Sequence, residues 1–424
     1  MRLLVEPSRD LPLVFMCVAF GTGGAHDPAG REGLGSIVGR MLRRGAEGMK
    51  GEAIEERVDS LGGEFGVSVG LGSSSVGAEA VARSAPELAA LVGKVIATPV
   101  FEDDELEKLK RQVEAELVAA RDDDSTLASR ALRRNLFAGH PHGRRVSGSI
   151  ASVRSIGRED VVRAYRRGFT QDNAIVAVGG DVDDALAEEL ARLLLAGLPR
   201  GEALPYPARE PEPTLGRRLV VVDKPERSQV KLGIGLLGTH PHDEDHLALL
   251  VGNTAFGGTF TSRLMQEIRS KRGWSYGASA SLSTSRVREA FTMWTAPAEK
   301  DAAACLALEL ELLEAWQRHG VTEEEASFAR EYLCRSYAFE VDTAKKRLNQ
   351  TLERELLKLP ADYHARYVER VSRITRGECN EAIARRIEPS RAWVAAVATD
   401  AEVGAELRSA VRWDATSVAR FDAE

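Results

Sequence analysis

The side chains of this sequence that could do chemistry begin with Gly257-Gly-Thr-Phe-Thr-Ser-Arg-Leu-Met-Gln-Glu-Ile-Arg-Ser-Lys-Arg-Gly-Trp-Ser-Tyr276. A Gly pair opens a loop, a helix comes next, and Arg269 sits seven residues before Tyr276. Both side chains are hydrogen-bond donors, yet spacing alone reads them as a helix-end arginine and an aromatic packed on a strand. His140 and His142 stand at i,i+2, a spacing that can chelate a metal from a strand. The Gly and Pro around them indicate a surface loop instead. His240-Pro-His-Asp-Glu-Asp-His246 also has ligand-type residues and reads as a solvated loop between a strand and a helix. Cys17, Cys305, Cys334 and Cys379 lack CxxC spacing and read as reduced, mostly buried thiols. Ser36 or a cysteine acting as nucleophile would lack a placed base.

The elements that must position these residues are written twice. Gly201 to Arg217 holds Pro205, Pro207, Pro211 and Pro213, a run that can neither continue a helix nor donate regularly to a sheet. It divides the chain into residues 1–200, a linker over 201–217, and residues 218–424. Each half has an early apolar strand, Leu11 to Gly21 and Val230 to Gly238, then a helix, then small-residue strand segments, Gly66 to Ala80 and Ser275 to Thr295. Two helices joined by a short acidic turn come next: Ala85 to Thr98 with Glu102 onward, and Ala298 to Arg318 with Thr322 onward. Each half closes on a similar strand, Ala174 to Asp181 and Trp393 to Asp400. Offsets of roughly 210 to 220 residues point to a tandem duplication of an α+β unit. Thr322-Glu-Glu-Glu and Asp103-Asp-Glu-Leu are acidic helix starts that suit the macrodipole.

At 424 residues the chain is long enough for two or three domains, and 43% hydrophobic with 29% charged residues fits a globular protein. A net charge of −7 argues against a nucleic-acid partner, which would want a basic face. No stretch approaches the ~20 apolar residues of a membrane span. As given, the chain reads as cytoplasmic, with an exported form left open if a signal was trimmed.

Gly33-Leu-Gly-Ser-Ile-Val-Gly-Arg-Met-Leu-Arg-Arg-Gly45 reads as a short amphipathic helix after a Gly-rich approach. Here the sequence resembles the pitrilysin-type zinc peptidases, or inverted zincins, which carry His-x-x-Glu-His at this point. Two histidines on one helix face hold zinc in that family, and the glutamate activates the metal-bound water. In this chain the first histidine position is Ser36, the glutamate position Gly39 and the second histidine position Arg40. Glu116, within Glu114-Ala-Glu-Leu117, matches the family's third ligand. A guanidinium repels a cation and a lone carboxylate holds zinc poorly, so no zinc is expected in this chain. Two readings of Arg40 stay open: a bridge to Glu116 in place of the metal, or a side chain reaching solvent.

Leu136 to Gly148 and Phe169 to Val182 also look like family segments, and the resemblance covers essentially the full length. It implies a substrate-binding end at Gly257, Gly258, Arg269 and Tyr276. There Arg269 would donate to a peptide carbonyl and Tyr276 to the peptide backbone or the oxyanion. The implied fold is two homologous α+β domains, each a mainly antiparallel sheet packed with helices, facing a shared cleft. The implied role is the non-catalytic subunit of a heterodimeric zinc peptidase. It would bind unfolded peptide for a homologous chain that carries the zinc. The alternative is a peptide-binding pseudo-peptidase or scaffold without proteolysis, and a homodimer of the chain alone stays open.

Overall fold

Apolar runs too continuous to face water on either side set the architecture. Leu13–Phe20 reads LVFMCVAF, Ala174–Gly180 AIVAVGG, Lys231–Leu237 KLGIGLL and Trp393–Ala398 WVAAVA. Such runs suit central strands buried on both faces. The protein, described by a computed structural model over residues 2–423, builds one sheet around each pair. One compact unit contains the chain up to Val118, Arg144–Pro207 and Phe339–Lys358. The other contains Ala119–Gly143, Ala208–Ala338 and the chain from Leu359 onward.

In the first unit the strands are β1 (Arg2–Pro7), β2 (Leu13–Phe20), β3 (Glu64–Val69), β4 (Ser74–Val81) and β5 (Ala174–Gly180), in the order β1-β5-β2-β4-β3. In the second they are β6 (Arg218–Asp223), β7 (Lys231–Leu237), β8 (Ala278–Leu282), β9 (Ala290–Thr295), β10 (Trp393–Ala398) and β11 (Ala415–Arg420). Their order, β11-β6-β10-β7-β9-β8, repeats the first sheet strand for strand and adds an exposed edge. The duplication read from the sequence is therefore a duplication of topology. The sheets are mainly antiparallel, as expected, but not purely so: β1 runs parallel to β5, while β6 runs parallel to both β10 and β11. The parallel pairs lie at one end of each sheet, formed by the edge strand β1 in the first and by β11 and its neighbour β6 in the second.

Helices used below are α1 (Leu34–Leu42), α2 (Ala85–Ala97), α3 (Asp103–Ala119), α4 (Asp124–Leu136), α5 (His246–Asn253), α6 (Ala302–His319) and α7 (Ala344–Leu357). The sheet faces explain where they go. In β2, Val14, Met16, Val18 and Phe20 join the main core of the first unit, whereas Cys17 and Ala19 point to the other face. That second face is covered by Leu348, Leu352 and Leu356 of α7, a helix encoded in the second half of the chain. The second unit mirrors this. Leu219, Ile234 and Val394 join its main core, whereas Val220, Ala395 and Val397 pack against Leu127, Ala128 and Leu132 of α4, encoded in the first half.

Two glycines make room for the exchanged helices. A Cβ on Gly179 of β5 would stand 3.1 Å from Leu348 Cδ2, and one on Gly235 of β7 would stand 3.0 Å from Leu132 Cδ1. Ion pairs fix the edges of each seat: Arg347 on Glu6 at 2.6 Å in the first unit, and buried Lys224 on Asp124 at 2.7 Å in the second. Lys224 Nζ also donates to the Arg121 and Asp122 carbonyls at 3.0 and 2.9 Å, so its charge is fully paired. Leu348 is 4% exposed, and its truncation to Ala should lower the unfolding free energy by about 2–4 kcal/mol, read by urea unfolding.

Candidate functional site

The helix expected to carry the metal motif is α1. Its start is pinned by a buried residue that no motif singles out: the Asp27 carboxylate accepts hydrogen bonds from Gly33 N and Gly35 N, both at 2.9 Å. Burial pushes the Asp27 carboxyl up to about 7, against the amides that favour its ionised form. Gly33 leads into the helix with φ +96°. Leu34, Ile37, Val38, Met41 and Leu42 face the core, which leaves Arg40 and Ser36 on the outer side.

The three motif positions then separate by geometry. Ser36 is half-buried and hydroxyl-bearing, with no imidazole to offer. Gly39 is pressed on β3: a Cβ there would stand 2.7 Å from Val69 Cγ2 and 3.1 Å from Val67 Cγ1. A glutamate at 39 would therefore require those valines to shift. Arg40 donates from its two terminal nitrogens to the two oxygens of Glu116 on α3, at 2.7 and 2.8 Å. Gln112 donates to the same carboxylate at 3.0 Å, and Arg44 pairs with Glu105 at 3.0 Å one turn along. Of the two readings of Arg40, the structure has the bridge. The side-chain hydrogen bond from Arg40 also holds the Glu116 carboxyl below the usual glutamate range.

This constellation does not fit zinc. A guanidinium lies where a cation would need electron-pair donors, and it occupies both oxygens of the remaining carboxylate. Among the described residues no group of three or more His, Cys, Asp and Glu side chains converges to hold a metal ion.

The segment from His240 to Asp245 is the loop between strand and helix expected of it, largely solvent-accessible, but one histidine in each segment is buried. His142 is fully buried, its Nδ1 2.9 Å from Glu289 Oε2, and Arg133 donates to the same carboxylate at 3.1 and 3.2 Å. Glycine and proline in its neighbourhood signal a turn, but a turn need not lie at the surface. His246 is 2% exposed and shares a 2.8 Å hydrogen bond with Thr239; burial lowers its pKa to about 4, so the ring is neutral at physiological pH. These histidines are structural parts of the second unit.

The segment from Gly257 to Tyr276 divides into scaffold and exposed groups. Gly257 is buried, and a Cβ on it would stand 2.6 Å from Ala280 N; Gly258 has no such contact. Leu264 and Ile268 are buried in the core. Arg263 donates to both oxygens of Glu325 at 3.1 and 2.7 Å and is a structural arginine. Gly273, at φ +65°, ends the helical turn. The Ser275 hydroxyl then clamps the approach to β8, donating to Gly277 O at 2.7 Å and accepting from Ala296 N at 3.0 Å.

What remains exposed is a stack of three side chains. The Arg269 guanidinium carbon lies 4.5 Å from the Phe260 ring centre and 4.7 Å from that of Tyr276. Phe260 is 69% exposed and Tyr276 88%. Both rings lie within cation–π reach of the guanidinium, whose N–H groups have no hydrogen-bond partner among the described residues. Phe260 was missed in the sequence because no spacing rule marks an aromatic nine residues before an arginine. Chemically, the stack is a rigid cationic donor edge beside a phenol.

The Arg40–Glu116 bridge is exposed enough to be modest. A double-mutant cycle with Arg40→Ala and Glu116→Ala should return a coupling of about 0.5–1 kcal/mol, reduced by added salt. Because the Glu116 pKa is depressed in the folded state, this coupling is present above the unfolded glutamate pKa and is lost as pH falls through the lower folded value.

Comparison with known proteins agrees with this division of features. The family model described as Insulinase (Peptidase family M16) matches residues 6–149, and that described as Peptidase M16 inactive domain matches residues 155–333. The chain is 23% identical over 383 residues to the Non-peptidase homolog YmxG of Helicobacter pylori, covering 90% of this chain and 88% of that one. It is 28% identical over 341 residues to an uncharacterized zinc protease of Mycobacterium tuberculosis, covering 79% and 77%. Among solved structures, a peptidase M16 inactive domain from Pseudomonas fluorescens superposes with TM-score 0.86 at 23% identity, covering 93% of this chain and 95% of that one. A protease from Helicobacter pylori superposes with TM-score 0.84 at 14% identity, covering 93% and 96%. The chain belongs to the M16, or insulinase, peptidase family, as a member of its inactive, non-peptidase type.

Proposed function

We propose that this chain is the non-catalytic subunit of a heterodimeric zinc peptidase, binding unfolded peptide and orienting its backbone for a homologous chain that carries the zinc. The observation that carries the reading is the Phe260–Arg269–Tyr276 stack, with its open N–H edge and exposed phenol. An extended peptide presents carbonyl oxygens that match such an edge, and recognition of backbone alone accepts many sequences. A phenol beside the edge can donate to the oxygen that becomes negative when water attacks a carbonyl. The Arg40–Glu116 pair supports the same assignment from the other side: the metal position of this chain is filled by a salt bridge, so hydrolysis falls to the partner. Gly257 keeps the loop closed on β8, and Gly258 provides exposed backbone beside it.

The test co-expresses the chain with a homologue bearing an intact His-x-x-Glu-His motif and monitors cleavage of a fluorescein-labelled casein digest, with and without chelator. Tyr276→Phe should lower kcat by about 100-fold, the lower end of the range seen for loss of one oxyanion donor. Arg269→Ala should weaken peptide affinity by about tenfold, as for loss of a hydrogen bond to a charged donor. Assembly should survive both substitutions, since neither side chain is part of the buried scaffold. Unchanged turnover in both variants would refute the proposal. Peptide binding that never leads to chelator-sensitive turnover, with any such homologue, would favour the scaffold reading.

A further inference from the structure

The helix Glu323–Glu340 of the second unit is the counterpart of α3 in the first. It follows α6 as α3 follows α2, and each opens on three acidic residues, Glu323, Glu324 and Glu325 here and Asp103, Asp104 and Glu105 there. Counted from those starts, the two helices have exchanged the sizes of their inner and outer side chains. α3 buries Leu106 and Leu109, and the same positions here are Ala326 and Ala329, both buried. α3 turns Lys108 and Gln112 to the outside, and the same positions here are Phe328 and Tyr332, 47% and 44% exposed. A helix with alanine inside and aromatic rings outside runs against the amphipathic pattern, so the rings do not serve the core.

Phe328 and Tyr332 stand four residues apart, which puts them on one helix face. Their ring centres are 6.3 Å apart, with the planes inclined at 25°. That face starts at the 257–276 segment. Glu325, three residues before Phe328, accepts from Arg263 at 3.1 and 2.7 Å, and Arg263 donates also to Gly320 O at 3.1 Å, just before the helix. Arg263 lies between Phe260 and Arg269 in the chain, so the residue that fixes this segment to the helix sits one helical turn from the rings. The duplicated fold supplies a control. Glu105 of α3 is likewise taken by an arginine, Arg44 at 3.0 Å, but the face beyond it is closed by Gln112 and the Arg40–Glu116 bridge. In the second unit the face beyond the clamp is aromatic and open.

We propose that the Phe328–Tyr332 face is a subsite for bulky apolar side chains of the peptide whose backbone the Phe260–Arg269–Tyr276 stack engages. The substrates are then unfolded segments rich in aromatic and large aliphatic residues. The inference rests on the peptide-binding reading of the stack and adds a substrate class to it. The size of the face selects this occupant. At their exposures the two rings offer roughly 200 Å², whereas a stable pair of folded chains buries about 800 Å² on each partner. That area suits one or two side chains and is too small for a subunit interface. The charges alongside leave the rings apolar: Glu325 is taken by Arg263, Glu331 by Arg335 at 3.0 Å, and Glu324 belongs to the acidic start one turn earlier. A ring or branched chain laid across both aromatics has no hydrogen bond to satisfy, so selection is by size and apolarity.

The experiment uses the full chain and fluorescence anisotropy with two fluorescein-labelled peptides of equal length and charge. Both have a Gly-Ser-Ala backbone; one carries a Phe and a Leu, the other Ser at both places. The Phe/Leu peptide should bind roughly tenfold more tightly, the effect of burying part of one large apolar side chain. Phe328→Ser combined with Tyr332→Ser should abolish that preference and leave affinity for the Ser peptide unchanged. Phe328→Leu combined with Tyr332→Phe should keep most of it. Arg269→Ala should weaken both peptides alike, because it acts on backbone. Equal binding of the two peptides by the wild type, or a preference that survives in the double-serine variant, would overturn the subsite and leave the backbone reading standing. Binding of neither peptide would overturn both. A wild-type dimer in analytical ultracentrifugation that the double-serine variant loses would assign the face to a second copy and overturn the proposal.

Discussion

Burial of both faces of the central strands is the constraint on which the rest of this protein depends. A five-stranded sheet with apolar residues on both sides cannot be left with one side in water, and local chain supplies helices to only one of them. Here the second face of each sheet is closed by a helix from the opposite half of the chain, α7 on the first sheet and α4 on the second. Small residues along that face, Ala19, Ala177 and Gly179 in one sheet and Gly235 and Ala395 in the other, let the helix sit close.

With the sheets closed in this way, each unit can hold a rigid edge for a functional group without spending that group on stability. The two candidate places use the opportunity differently. At α1 the three motif positions are absorbed into structure: Gly39 brings the helix against β3, and Arg40 ties it to α3 through Glu116. A metal ion and a guanidinium can both hold a carboxylate in place, but only the metal lowers the pKa of a bound water. The substitution keeps the cross-link between helices and gives up the chemistry. At the 257–276 segment the reverse holds. Arg263, Leu264 and Ile268 do the packing, which leaves Arg269 and Tyr276 free of any structural duty.

The parts of this arrangement legible in the sequence are those with a strong local signal. The double-sided strands declare themselves as unbroken apolar runs, and Thr322 and Asp103 mark helix starts that the structure has within a residue. Edge strands do not: every residue of β11 is exposed and β1 is only partly buried, so their composition carries little burial pattern, while the interior strand β6 shows only the short run Leu219–Val222 just after the Pro-rich segment. Because those strands supply the parallel pairs, the mixed character of the sheets was hidden too. The crossing of α4 and α7 was hidden for a different reason. A helix's apolar stripe shows that it must be covered, but not by which sheet. The same limit applied to Arg40, where residue type allowed a bridge and only the distance to Glu116 could establish it.

Tandem duplication lets one half of this chain be read against the other. Two copies of one topology in one sequence show which features the fold demands, because those recur, and which it merely tolerates. The strand order recurs, as do the sheet glycine beneath a foreign leucine and the closing helix. The buried acid and hydroxyl at Glu309 and Thr295 do not, since Val92 and Ala78 occupy those places in the first unit. A buried carboxyl is costly in either copy, by the same desolvation. Glu309 and Thr295 are therefore features that the fold accommodates in one copy and does not require, since the same places are packed with Val92 and Ala78 in the other.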